Sequence, residues 1–175
     1  GMDVVRRKIN ELRGLIEMDS SPNVGTSITI KLPLTFSIID GLLVRIDERD
    51  LIIPLSSVDK CYEIKHNKVE SAFNNQIIID QQQIPYFYLR DEFDIKTPSP
   101  SIEQVITVQY EGQRAGIIVD AIVGEYQAVL KPLGKLYQDL DIFSGATILG
   151  DGTIALVLDT HKLINQCTIK SFQAL

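Results

Sequence analysis

The sequence predicts a mainly β protein built from two related small barrels, which a helix and a β-hairpin precede. Three observations predict this class. Short apolar runs separated by tight turns fill the chain from about Phe36 onward. The pattern of these runs occurs twice, which indicates a duplicated unit of about 60 residues, the size of a small closed barrel. The opening residues instead show helical spacing.

The first 34 residues predict a helix followed by two strands. Val5, Ile9 and Leu12 recur at helical spacing. Gly14 is suited to the left-handed conformation that ends many helices. The elements expected next are a strand over 15–20, a turn rich in Pro and Gly over 21–25, and an alternating strand over 26–34.

The duplication is visible as two ordered blocks of matching residues. The first block matches at a shift of 64 positions and the second at a shift of 70, and in each copy a strand leads into a short helical turn. Closure into barrels is favoured because it removes exposed strand edges. The barrels are expected at about 36–94 and 102–165, joined by a proline-containing connector, with a C-terminal strand over 166–172. The pairs expected at matching inward positions are Val44/Val108, Ile53/Ile117 and Phe87/Val157.

Glycines mark turns rather than a phosphate site. Gly150-Asp151-Gly152 lies between two apolar runs and predicts a hairpin. A phosphate cradle would require a following helix N-terminus, and here a strand is expected. The apolar run bracketed by Gly116 and Gly124 is expected to form one strand that continues to Val123.

Composition excludes several classes of function. The net charge of −6 and the absence of a long basic run argue against nucleic acid. No apolar run is long enough to span a bilayer and no signal-peptide pattern opens the chain, so we expect a cytoplasmic protein without membrane insertion. His66 and His161 stand in no catalytic or metal-binding pattern, so neither catalytic residues nor a metal site is expected. Cys61 and Cys167 are expected to be reduced core residues.

The strand over 51–55 is the candidate partner-binding element. It is apolar on both faces, although one face of a barrel strand points outward. Leu51, Ile52 and Pro54 are therefore candidate contacts with another protein, and Pro is typical of an edge strand. The alternative is that the neighbouring barrel covers this strand.

Several runs are similar to the C-terminal portion of the bacterial chemotaxis histidine kinases of the CheA family. The runs are 25–35 (GTSITIKLPLT), 39–41 (IDG), 53–55 (IPL), 84–85 with 89–90, 116–124 and 145–152 (GATILGDG). The resemblance implies two SH3-like five-stranded barrels packed side by side, the fold of the adaptor CheW. It implies a CheW-like regulatory domain over 36–175, preceded over 1–35 by the remnant of an α/β-sandwich ATPase domain.

The resemblance also implies a function in a two-component phosphorelay. The module would bind CheW and the cytoplasmic tips of chemoreceptors, and would couple them to the ATPase domain of the kinase. Gly1 and Met2 resemble the end of the ATP lid, and Gly25 and Thr26 the last turn of the ATPase domain. The remainder of the pocket for ATP and Mg²⁺ is not in the sequence, so this chain is expected to hold no cofactor and to have no activity.

Two other functions stay open at this point: an ATP-binding kinase fragment and a free CheW-type scaffold. The resemblance further implies that the apolar residues of 1–34 lack the neighbours that an intact ATPase domain would provide. We therefore expect this segment to be disordered or to be ordered by a second copy in a homodimer.

Overall fold

Strands dominate the computed structural model, which describes residues 2–11, 15–22, 25–31, 37–72, 75–133 and 141–173. The elements are α1 (Met2–Glu11), β1 (Leu15–Ser21), β2 (Gly25–Lys31), β3 (Ser37–Ile46), β4 (Arg49–Pro54), β5 (Val58–Lys65), α2 (His66–Glu70), β6 (Gln76–Ile79), β7 (Gln82–Tyr88), α3 (Leu89–Glu92), β8 (Ile102–Tyr110), β9 (Gln113–Val119), β10 (Ala121–Leu130), β11 (Phe143–Ile148), β12 (Ile154–Leu158) and α4 (Thr160–Gln173). Internal contacts divide the chain into two units, residues 1–37 and 38–175, near the predicted boundary at 35/36.

The first unit contains α1 and an antiparallel hairpin of β1 and β2. Ile16 lies opposite Ile30, and Met18 lies opposite Ile28. Side chains alternate between the faces of a strand, so these four residues share one face. Ile28 and Ile30 are 47% and 49% exposed. The unit therefore presents an apolar face, while Leu12, Gly14 and residues 32–36 lie outside the described part. Association of two copies through this unit stays a prediction.

The second unit contains two curled five-stranded sheets. We call the sheet with the order β10-β3-β4-β12-β11 barrel 1, and the sheet with the order β5-β8-β9-β7-β6 barrel 2. Each barrel takes two strands from one repeat and three strands from the other. The predicted barrels over 36–94 and 102–165 are therefore wrong, because apolar patterning identifies strands but not the strands with which they pair.

The duplication itself is confirmed by strand order and register. When the two sheet orders are aligned, β3 corresponds to β8, β4 to β9, β5 to β10, β6 to β11 and β7 to β12. Val44 lies opposite Leu51 in the β3–β4 pair, and Val108 lies opposite Ala115 in the β8–β9 pair. Both residues of the second pair are 64 positions after those of the first. The two repeats have exchanged strands reciprocally.

The second block of the duplication is displaced by one residue from the prediction. Phe87 lies beside Ile117 in barrel 2. The equivalent of Ile117 in barrel 1 is Ile53, 64 positions earlier, but Val157 lies beside Ile52. The equivalent of Phe87 is therefore Leu158, and the predicted pair Phe87/Val157 is wrong. A shift of one residue is hard to detect in β12 because Val157 and Leu158, on opposite faces, are both fully buried.

The crossover between barrels occurs where one continuous strand was expected. β9 ends at Val119 in barrel 2, and β10 begins at Ala121 in barrel 1. Asp120 lies between them and forms a paired contact with the buried Arg90, with 2.7 Å separating Nε from Oδ1 and Nη2 from Oδ2. The backbone N–H of Asp47 also donates to Asp120, at 2.7 Å. This ion pair ties the crossover to α3 and to the β3–β4 turn.

In the described part of the chain, three apolar clusters form the core. One contains residues of both barrels and of α4, including Val44, Ile53, Val108 and Ile117. The other two contain mainly strand residues of a single barrel each. The inward positions that we predicted for these four residues thus face the core shared by the two barrels.

α4 covers residues 160–173, so the predicted strand over 166–172 is wrong. Asp159 caps α4, since the N–H of Lys162 donates to its Oδ1 at 3.1 Å. Leu163, Ile164 and Cys167 are buried at helical spacing. Cys61, expected in the core, is exposed.

Candidate partner-binding surface

The predicted partner-binding strand is an interior strand. β4 lies between β3 and β12, and Leu51 and Ile52 are 1% and 0% exposed. Leu51 packs in the shared core and Ile52 in the core of barrel 1. The assignment of these two residues to a partner surface is therefore wrong, since a strand apolar on both faces is here buried on both faces. Half-buried Pro54 stays a prediction.

The residues that resemble an ATPase domain lie in the first unit. Met2 begins α1, and Gly25 and Thr26 begin β2, where both are exposed. The Thr26 hydroxyl is 2.9 Å from the hydroxyl of Ser20 on the facing strand. Gly1 lies outside the described residues. A role of these residues in an ATPase domain stays a prediction.

An exposed apolar row on barrel 1 is the strongest candidate for a partner surface. Ile148 and Ile154 lie opposite each other across the β11–β12 hairpin and are 51% and 65% exposed. Two hydrogen bonds of 2.8 and 2.9 Å between Lys131 and Ala146 join β10 to β11. This register places Val129, 39% exposed, in line with Ile148. We call Val129, Ile148 and Ile154 the apolar patch.

Sequence reasoning missed the apolar patch because its members lie in continuous apolar runs. Ile148 and Ile154 flank the predicted turn at 150–152, which the structure confirms. Within an unbroken run such as 154–158, nothing in the pattern distinguishes the outward residue from its buried neighbours. Contiguous exposed apolar residues are typical of interaction sites.

The equivalent hairpin of barrel 2 is more polar. Ile78 is 75% exposed and corresponds to Ile148, but it lies opposite Gln83 rather than another apolar residue. Charged side chains close the barrel nearby: Asp80 accepts from the hydroxyl of Tyr62 and contacts Lys60 at 3.4 Å. The pKa of Asp80 is lowered, chiefly by the hydrogen bond from Tyr62. Only barrel 1 presents a clustered apolar row at this end, within the part of the chain that the structure describes.

Barrel 2 also contains a buried polar network. Glu103 is completely buried, its Oε2 lies 2.9 Å from Nδ1 of His66, and its Oε1 accepts from the Tyr88 hydroxyl at 2.8 Å. The hydrogen bond to Glu103 raises the pKa of His66. Burial raises the pKa of Tyr88. These contacts satisfy a carboxylate that would otherwise be costly to bury.

Two classes of site are not found among the described residues. In those parts of the chain, His, Cys, Asp and Glu side chains form no group of three or more that could hold a metal ion. The helices described there include none with the length and apolar character needed to cross a membrane.

Comparison with known proteins identifies relatives over most of the chain. Residues 40–167 match the CheW-like domain family. The chain is 35% identical over 167 residues to the chemotaxis protein CheA of Bacillus subtilis and 34% identical over 168 residues to the sensor histidine kinase CheAY of Helicobacter pylori. These alignments cover 94% of the chain but 25% and 21% of the relatives, so the chain spans about a quarter of their length.

A solved structure shares the fold. The scaffolding protein TtCheW from Thermoanaerobacter tengcongensis superposes with a TM-score of 0.59 at 18% identity. The match covers 70% of this chain and 90% of that one. The likeness supports two SH3-like barrels.

Proposed function

The chain belongs to the CheW-like domain family, and from that premise we propose that it is the regulatory coupling module of a chemotaxis histidine kinase. CheW-like domains are non-catalytic scaffolds, and the chain is not an enzyme. In this proposal the module binds the adaptor CheW and the cytoplasmic tips of chemoreceptors, and transmits the receptor state to the kinase.

The extent of the alignments supports a kinase module most directly. The CheA relatives align with 94% of the chain, whereas the CheW-like match begins at residue 40 and the CheW structure covers 70%. The difference is large enough to include the first unit. We propose that this unit is the end of an ATPase domain whose missing neighbours would cover Ile16, Met18, Ile28 and Ile30.

The coupling mechanism that we propose is conformational. The first unit is followed in the chain by β3, which pairs with β4 and β10 in barrel 1. In this proposal, a displacement of barrel 1 by a bound partner is transmitted along the chain through β3. Coupling of this kind requires a difference of only a few kcal/mol between two states.

The apolar patch is the surface that we propose for the adaptor. A protein interface typically has an apolar centre from which charged residues are depleted. The double substitution Ile148→Lys with Ile154→Lys places two charges at that centre. We expect CheW to bind this variant at least about tenfold more weakly, as measured by titration calorimetry.

Barrel 2 provides a matched control for this experiment. Ile78→Lys changes a still more exposed isoleucine on the equivalent hairpin, so it alters surface charge without touching the patch. Its affinity for CheW should stay within about twofold of wild type. Circular dichroism should show both variants folded. Weak binding by the Ile78 variant with normal binding by the patch variant would move the interface to barrel 2.

A free CheW-type scaffold is the second candidate, favoured by the 90% coverage of the TtCheW chain. The two functions predict different polypeptides in the source cells. An antibody against this chain should detect a protein several times larger if the module belongs to a kinase. A band near 19.6 kDa would instead favour the free scaffold.

A further inference from the structure

A cleft beside barrel 2 lies on the outer side of its buried polar network. Its volume is about 400 Å³, within the range of sites that hold ligands or side chains. α2, the end of β7, α3 and the connector between the repeats surround it. The residues that carry the argument are His66, Glu70, Tyr86, Tyr88, Asp91 and Ser99.

Two tyrosines form aromatic walls of the cleft. Tyr86 and Tyr88 are both half-buried, and burial raises the pKa of each, so both rings stay neutral. The Tyr88 hydroxyl is held by Glu103 at 2.8 Å and by Ser99 at 3.0 Å. Among the described residues, the Tyr86 hydroxyl makes one long contact, of 3.4 Å, with the carbonyl of Val69. Neutral, fixed aromatic rings attract cations.

Carboxylates exceed available positive charge around the cleft. Arg90 lines it, but both edges of its guanidinium are engaged by Asp120 and by the carbonyl of Thr97 at 2.7 Å. His66 lies between Glu103 and Glu70, with 3.3 Å separating its Nε2 from Glu70.

The exposed carboxylate of Asp91 completes the excess of negative charge. Within the described residues no cation forms an ion pair with Asp91. The chain as a whole is also acidic, at −6. This charge would draw a cation towards the cleft.

We propose that this cleft receives an arginine side chain of a partner protein. A guanidinium group can stack on a tyrosine ring while its planar fork donates to a carboxylate, here Asp91 or Glu70. The cleft opens at exposed carboxylates, so a side chain can enter while the partner's backbone stays outside. This contact is separate from the apolar patch and does not depend on the identity of the adaptor.

The test uses the intact chain and short peptides. Acetyl-Gly-Arg-Gly-amide is compared with the same peptide containing citrulline, which has the shape of arginine without its charge. We expect only the arginine peptide to shift the backbone NMR signals of residues 66–72 and 86–91. Binding should be about tenfold weaker in the double variant Asp91→Asn with Glu70→Gln.

The control variant is Glu111→Gln, which removes an exposed charge at the β8–β9 turn, at the opposite end of β8 from Glu103. It should bind the arginine peptide as wild type does. Equal weakening by Glu111→Gln would show general charge attraction and overturn the proposal. Equal binding of the citrulline peptide, or shifts elsewhere, would also overturn it. If guanidinium chloride alone binds as tightly as the peptide, the site binds a small cation and the proposal of a protein partner is wrong. Loss of CheW binding by the apolar-patch variant leaves this result unaffected.

Discussion

In barrel 1, Ile52 packs beside Gly41, whereas barrel 2 has Gly116 and Val105 at the equivalent positions. A Cβ added to Gly41 would lie 2.3 Å from Cγ2 of Ile52, and one added to Gly116 would lie 3.1 Å from Cγ1 of Val105. Each barrel therefore has room for one large side chain at this pair of positions. The two repeats place it on opposite strands, as isoleucine on β4 in barrel 1 and as valine on β8 in barrel 2.

A second pair of equivalent positions differs in polarity. Barrel 2 holds the buried carboxylate of Glu103 beside His66, with 2.9 Å between Oε2 and Nδ1. The equivalent positions in barrel 1 are Ile39, which lies 64 positions before Glu103, and Leu130, which lies 64 positions after His66. Both pack against the apolar core of barrel 1. The same fold thus accommodates either an apolar pair or an ionisable pair, and only the second can respond to pH.

The glycine–isoleucine exchange can be tested by copying the arrangement of barrel 2 into barrel 1. Ile52→Gly removes a fully buried side chain and should reduce the free energy of unfolding by about 5 kcal/mol. Gly41→Val alone forces a clash with Ile52 and should cost about 3 kcal/mol. The double variant should be more stable than the sum of these losses implies, by about 1–3 kcal/mol. Urea denaturation measures all three.

The glycine on the other barrel supplies the control for this cycle. Pairing Ile52→Gly with Gly116→Ala combines two changes in different barrels, which share no clash. Their effects should add within about 0.5 kcal/mol. If Gly41→Val and Ile52→Gly are also merely additive, complementary packing of this pair is wrong.

The next largest effect concerns the buried ionisable pair. Among the described residues, His66→Leu leaves Tyr88 as the hydrogen-bond donor to Glu103, and it should cost about 3 kcal/mol. Adding Glu103→Ile reproduces the apolar pair of barrel 1 and should recover most of that loss, since well-packed apolar residues often replace buried ion pairs without cost. Unfolding in urea at pH 7 gives both values. A double variant less stable than the single one would show that barrel 2 cannot adopt the apolar arrangement.

The sequence predicted the strands and their duplication better than it predicted their partners. The match of Val44 with Val108 corresponds to the observed registers because alternation and turn spacing are local properties. The exchange of strands at Asp120 was missed because pairing with a distant strand leaves no local pattern. Nor could periodicity distinguish Ile52, buried by strands on both sides, from Ile148, exposed in a similar run.

The conformation of residues 166–172 was also predicted incorrectly, because they belong to α4. A short helical turn was predicted after β12, followed by a strand over 166–172, whereas Asp159 caps a helix that continues through that range. Cys167 continues the buried stripe of Leu163 and Ile164 at helical spacing. A stripe of three residues is too short to distinguish a helix from a strand by its spacing. The packing of these residues against the shared core selects the helix.

The smallest effect, and the one that distinguishes the barrels most selectively, is a dependence of stability on pH. The hydrogen bond to Glu103 raises the pKa of His66 in the folded chain above its unfolded value of about 6.5. A raised pKa means that the folded state binds the proton more tightly, so this contribution to stability is complete below about pH 6.5. It should be lost as the pH rises through the folded pKa of His66.

The double variant His66→Leu with Glu103→Ile removes the titrating pair while retaining the fold, so it isolates this contribution. Subtracting its unfolding free energy from that of the wild type at each pH cancels the groups that both chains share. The unfolding free energy of the wild type should fall relative to that of the double variant as the pH rises from about 6 to about 9, because the imidazole of His66 loses the proton that Glu103 stabilises. Barrel 1 contributes nothing to this difference, since Ile39 and Leu130 do not titrate. A difference that is flat, or that moves in favour of the wild type over this range, would show that Glu103 is stabilised equally by neutral His66.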